Sequence, residues 1–169
     1  SPRRTLALGA AVFAAFALAP SVASAQCVNG GPQVTLMDSA SFIWDIGTNG
    51  QIDNGSIDAY DEGMALSVNG VYFPIAATRT MELSGRQIVH GPFMTAGLQV
   101  TRKVYVPTTD RWARFLEVFR NPGTTAITVT VCVETNVGSD GGTVWTGSSW
   151  VDTAFTTADR WVTSDDSDG

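Results

Sequence analysis

From residue 33 onward, apolar and polar residues alternate with the period of two that places every second side chain on one face of a strand. Ser41-Phe42-Ile43-Trp44-Asp45-Ile46 puts Phe42, Trp44 and Ile46 on one face. Met64-Ala65-Leu66-Ser67-Val68 leads into Asn69-Gly70, then Val71-Tyr72-Phe73. Asn-Gly between two apolar runs predicts a tight hairpin, because both turn positions need positive φ. Arg79–Leu83 and Arg86–His90 flank Ser84-Gly85 as a second hairpin. Leu98–Val106 aligns Leu98, Val100, Val104 and Val106, with Arg102 interrupting that apolar face. Trp112–Arg120 runs into Asn121-Pro122-Gly123, where Pro presets φ and Gly123 is expected in the left-handed position.

Ala126–Asn136 is the most regular strand pattern. Ile127, Val129, Val131 and Val133 alternate with Thr128, Thr130, Cys132 and Glu134, so Cys132 falls on the polar face. No stretch after residue 26 sustains a helical period. Short strands separated by Gly, Asn and Pro turns predict an all-β fold, an antiparallel β-sandwich.

The first 25 residues read as an address. Arg3 and Arg4 precede an apolar run from Leu6 to Pro20, and Ala23 and Ala25 occupy the two small-residue positions of an A-x-A cleavage site before Gln26. This is the pattern of a helical secretory signal peptide, residues 1–25. An apolar run of fifteen residues falls short of the roughly 20 needed for a spanning helix, so no stable membrane span is expected after cleavage. A membrane anchor and a lipoprotein acylated at Cys27 are the competing readings. Against the second, Gln26 stands where a lipobox carries a small residue. Residues 26–169 form the folding domain. Its Gly-, Ser- and Thr-rich last third, ending Asp165-Asp166-Ser167-Asp168-Gly169, predicts that the domain continues past the given sequence.

Composition narrows the chemistry. The chain has 169 residues, 44% of them hydrophobic, which excludes a disordered polar tract. Its net charge is −6. Removing residues 1–25 takes two of the ten basic residues and no acid, leaving −8. With one lysine, such a chain is a poor nucleic-acid binder. One histidine and two cysteines leave little room for a zinc site or a His-based triad. In an exported chain Cys27 and Cys132 predict a single disulfide. They lie 105 positions apart, a closure that a chain-entropy model values at roughly 4–5 kcal/mol.

Three candidate sites follow. Asp45, Asn49 and Asp53 stand at positions 1, 5 and 9 of a loop with Gly50 at position 6, part of the EF-hand calcium spacing. Gly47 and Ser56 take positions where ligands are needed, and an Asx-rich hairpin accounts for the same residues. Apart from this possible calcium ion, no cofactor is expected. Trp145, Trp150 and Trp161, with Asp152 and Asp159 between them, could form a sugar platform of flat rings and hydroxyl-binding carboxylates. Tryptophan also fills sandwich cores. His90, before Gly91-Pro92, reads as a structural histidine rather than a catalytic one. Arg102, Arg114 and Arg120 read as cross-strand partners for Glu117 and Glu134. No phosphate loop, nucleophile elbow or H-E-x-x-H occurs.

Leu98-Gln99-Val100-Thr101-Arg102-Lys103-Val104-Tyr105-Val106-Pro107, followed by Arg114–Gly123, resembles extracellular bacterial β-sandwich proteins in which an R-x-V-Y-V-P strand precedes one ending in N-P. Similar strand pairs occur in the supersandwich domains preceding catalytic domains of some glycoside phosphorylases and hydrolases, and in secreted bacterial surface proteins. Asn136–Asp140 and Asp159-Arg160-Trp161-Val162 fit the second group better. The resemblance spans about residues 40–165 and implies a supersandwich-like fold in a secreted setting, without catalytic residues. The expectation is a non-catalytic module for adhesion, display or binding, at the cell surface, in the medium or in the periplasm. Its partner would be a glycan or another surface protein. The alternative is an accessory or carbohydrate-binding N-terminal domain of a carbohydrate-active enzyme.

Overall fold

The structure is a computed structural model. It describes residues 26–29, 33–56, 59–60, 62–75, 78–135, 144–152, 154 and 156–165, with the backbone alone at 26–29, 78, 145 and 165. The signal peptide expected over residues 1–25 and the terminal Asp166–Gly169 lie outside these.

The described chain is all-β, in several antiparallel sheets. The strands are β1 (Gln26–Asn29), β2 (Val34–Met37), β3 (Ile43–Ile46), β4 (Ala65–Val68), β5 (Val71–Tyr72), β6 (Thr78–Glu82), β7 (Gln87–Thr95), β8 (Leu98–Tyr105), β9 (Arg114–Arg120), β10 (Val131–Glu134), β11 (Val144–Ser148) and β12 (Val162–Asp165). The largest sheet has the order β1-β6-β7-β8-β9. Smaller ones are β10-β4-β5, β2-β3 and β11-β12.

The predicted turns form where their chemistry requires. Asn69 and Gly70 join β4 to β5 at φ of 51° and 76°. Leu83, Ser84 and Gly85 join β6 to β7, all with positive φ. The Asn121-Pro122-Gly123 turn differs from expectation, since Gly123 is not left-handed. Instead the Asn121 side chain accepts from Gly123 N at 2.9 Å and donates to Thr125 O at 2.7 Å, so an Asx turn supplies the closure.

β8 alternates as its sequence predicts. Leu98, Val100, Arg102 and Val104 are buried and the intervening residues half-exposed. Two apolar clusters lie on this inner face. One joins Ile88, Val104 and Val106 to Leu36, Trp44, Ile46 and Ile52. The other joins Leu98 and Val100 to Leu66, Val68 and Phe73. A fully buried Val or Ile contributes about 1.5–3 kcal/mol relative to exposure, so these contacts hold β2-β3 and β4 against the large sheet, while β11-β12 contributes no described residue to either cluster.

The Ala126–Asn136 expectation is only partly met. Among its described residues, 126–135, strand pairing is confined to Val131–Glu134, against β4, and Asn136 lies outside the described set. All four of these side chains are exposed, and Ile127 is exposed as well, whereas Val129 packs on the second cluster. In β4 the polar Ser67 is buried alongside its apolar neighbours, because this strand lies between β10 and β5.

Candidate functional site

The β11–β12 hairpin carries the candidate binding site. Val144 pairs with Asp165 and Ser148 with Val162, with an irregularity between Trp145 and Gly147. The connection between the strands is tied by its own polar side chains. Ser148 Oγ donates to Asp152 Oδ1 at 2.9 Å and Ser149 Oγ to Asp159 Oδ1 at 3.1 Å. Asp159 Oδ2 accepts from the Thr156 N–H at 2.8 Å and the Thr156 hydroxyl at 2.9 Å. These bonds, led by the Thr156 N–H, hold the Asp159 carboxyl below its ordinary range. Val151 sits at φ 61° and is 93% exposed, a strained conformation for a β-branched residue.

On this frame Trp150 and Trp161 are 68% and 56% exposed and line one open cleft of about 330 Å³ with Ser149, Ala158 and Arg160. Two of the three predicted tryptophans thus come together. The Trp145 side chain lies outside the described set. Asp152 and Asp159 brace the loop and do not line the cleft. Arg160 was not singled out from sequence. Its signal there was its place between Asp159 and Trp161.

The predicted calcium loop closes as an Asx-rich turn. Asp45 Oδ1 accepts from Gly55 N at 2.7 Å, and both its oxygens lie 3.3 Å from Asn54 N. Asn49 Oδ1 accepts from Gln51 N at 3.1 Å, and the Asn49 amide donates to the Gln51 side chain. Asn49 and Asp53 line a cavity of about 110 Å³ with Gly47, Gln51, Ile52 and Glu62, away from the Asp45 carboxylate. Among the described residues no group of three or more His, Cys, Asp or Glu is placed to hold a metal ion.

Cys132 is an exposed thiol 3.6 Å from Glu134 Oε1, and the Cys27 side chain lies outside the described set. The backbone of Cys27 pairs with Thr80 in the large sheet, and that of Cys132 with Ser67 in β10-β4-β5. Of the predicted arginine pairs, Arg102 reaches Glu117. Arg114 bonds Gln87, Arg120 bonds Gln99, and Glu134 accepts from the Tyr72 hydroxyl.

Alternation did not foretell a charged row across the inner face. Arg79, His90, Arg102 and Glu117 are directly opposite one another on β6, β7, β8 and β9. His90 and Arg102 are fully buried, and neither ring nitrogen of His90 makes a well-aligned hydrogen bond to a described residue, although the Thr48 backbone lies close enough to favour the protonated ring weakly. Burial, then the Arg102 and Arg79 charges, depress its pKa to about 4, so the imidazole is neutral. The imidazole therefore sits buried and neutral between two arginines.

No helix among the described residues is long and apolar enough to cross a membrane. Comparison of the chain with family models, curated proteins and solved structures finds no match.

Proposed function

We propose that this chain is a non-catalytic β-sandwich module, exported to the cell surface or medium, that adheres by binding glycan at the β11–β12 hairpin. The observation that carries this reading is the pairing of exposed Trp150 and Trp161 along one cleft. Exposed indole rings lose little conformational entropy on binding and offer flat apolar faces to the C–H face of a sugar ring. The sandwich is supported by two apolar clusters on one face of the five-stranded sheet. Export is supported by Arg3, Arg4, the apolar run and the Ala23-x-Ala25 site. The non-catalytic part is supported by where these titratable side chains sit: His90 is buried, and Asp45, Asp152 and Asp159 brace turns.

A glycan array probed with the purified full chain tests the reading. Binding that falls at least tenfold in both Trp150→Ala and Trp161→Ala is expected. No bound glycan, or binding indifferent to both substitutions, overturns it. Turnover of a bound glycan overturns the non-catalytic part.

A further inference from the structure

The side-chain polar groups that the described residues bring to the Trp150–Trp161 cleft are mostly donors. Arg160 brings a guanidinium with five N–H groups, and no carboxylate pairs with it among the described residues. The indole N–H groups of Trp150 and Trp161 are donors only. Ser149 has no donor left, since its hydroxyl proton goes to Asp159 while its oxygen accepts from Arg160 N at 3.0 Å. The nearby carboxylates that would accept from sugar hydroxyls are turned away, Asp159 onto Thr156 and Ser149, Asp152 onto Ser148 and Ala154 N. A ligand that fits must bring the acceptors.

Resting on the glycan reading above, we infer that the cleft selects acidic sugars. An anionic group on the sugar, carboxylate or sulfate, pairs with Arg160 while the ring lies against tryptophan. The planar guanidinium fork matches either group bidentately. The net charge of −8 left once residues 1–25 are removed disfavours a long polyanion. At physiological salt this repulsion reaches only about 8 Å, so a short glycan carrying a single charge opposes chiefly the neighbouring Asp159 carboxylate, which Thr156 and Ser149 already engage.

The test titrates the full chain with trisaccharides carrying one negative charge or none, following tryptophan fluorescence. A uronate-terminated trisaccharide, its methyl ester and a singly sulfated trisaccharide are the probes. Esterification keeps the ring and removes the charge. The expected result is at least tenfold tighter binding of one or both acidic probes than of the ester, with the tighter acid identifying the source of the charge. Arg160→Gln should remove that difference, and Arg160→Lys should restore part of it. Equal binding of acid and ester, or selectivity that survives Arg160→Gln, overturns the inference while leaving the glycan reading in place. No binding to any neutral or acidic member of the array overturns both.

Discussion

Arg102 and Glu117 face each other across β8 and β9, with Arg102 Nη2 2.9 Å from Glu117 Oε1 and the arginine fully buried between two apolar clusters. The guanidinium also donates to Asn49 O at 3.1 Å and Met64 O at 2.7 Å, and lies 5.9 and 6.0 Å from the Phe73 and Phe115 ring centroids. One side chain therefore ties the large sheet to the loop after β3 and to the start of β4. Burial pushes the Glu117 carboxyl up, with Arg102 opposing. Removing one partner strands the other charge, so Arg102→Met should cost about 3–5 kcal/mol. Arg102→Met with Glu117→Leu should recover much of that loss. Urea unfolding of the single and double variants measures both, and a double variant no better than the single would remove the charge explanation.

His90 makes stability depend on pH. Its pKa is about 4 in the fold against 6.5 for the free side chain, so the unfolded chain takes up the proton first as pH falls. The stabilisation is present above pH 6.5 and is lost as pH drops toward 4, by an amount on the order of 3 kcal/mol. Glu117, shifted upward, works in the opposite sense. Unfolding free energies between pH 7.5 and 4.5 should fall steadily. His90→Leu should flatten that slope, and an unchanged slope would place the dependence elsewhere.

Gly50 lets the β3 loop approach the charged row. It sits at φ 78°, and a Cβ there would lie 3.1 Å from Arg102 Cδ and 3.3 Å from His90 Cδ2. Gly50→Ala should destabilise by about 1–3 kcal/mol, from left-handed strain and crowding of two buried side chains. Thermal unfolding checks this, and a loss below a few tenths of a kcal/mol would show that the loop relaxes freely.

Val151 stores strain beside the cleft. At φ 61° and almost wholly exposed, it gains little from its surroundings in exchange. Val151→Gly should relieve about 1 kcal/mol of local strain and slow amide exchange of the Val151 N–H, which donates to Ser148 O at 3.0 Å. Faster exchange there would show that the valine side chain, not the backbone, holds the turn.

Much of the fold was legible because local chemistry decided it. The alternation of Leu98 to Val106 predicted β8, and Asn69-Gly70 predicted its hairpin through the need for positive φ. The break in the β8 stripe at Arg102 was visible as well, and so was Glu117 as its partner. The same rule failed at Ala126–Asn136, since alternation states which residues share a face but not whether a neighbour covers it.

The candidate site divides along the same line. Its tryptophans stood out by residue type, whereas the fates of Asp152 and Asp159 depended on which way a tied loop turned them. The sequence by itself determined the strand periodicity, the hairpin turns and the acidic balance, the first two set within a few consecutive residues and the third by composition alone. Only the tertiary structure decided that Arg79, His90, Arg102 and Glu117 fall in one buried row, and that Arg160, rather than an aspartate, lines the cleft with Trp150 and Trp161. Strand register and loop closure join residues far apart in the chain, and no local pattern encodes that meeting.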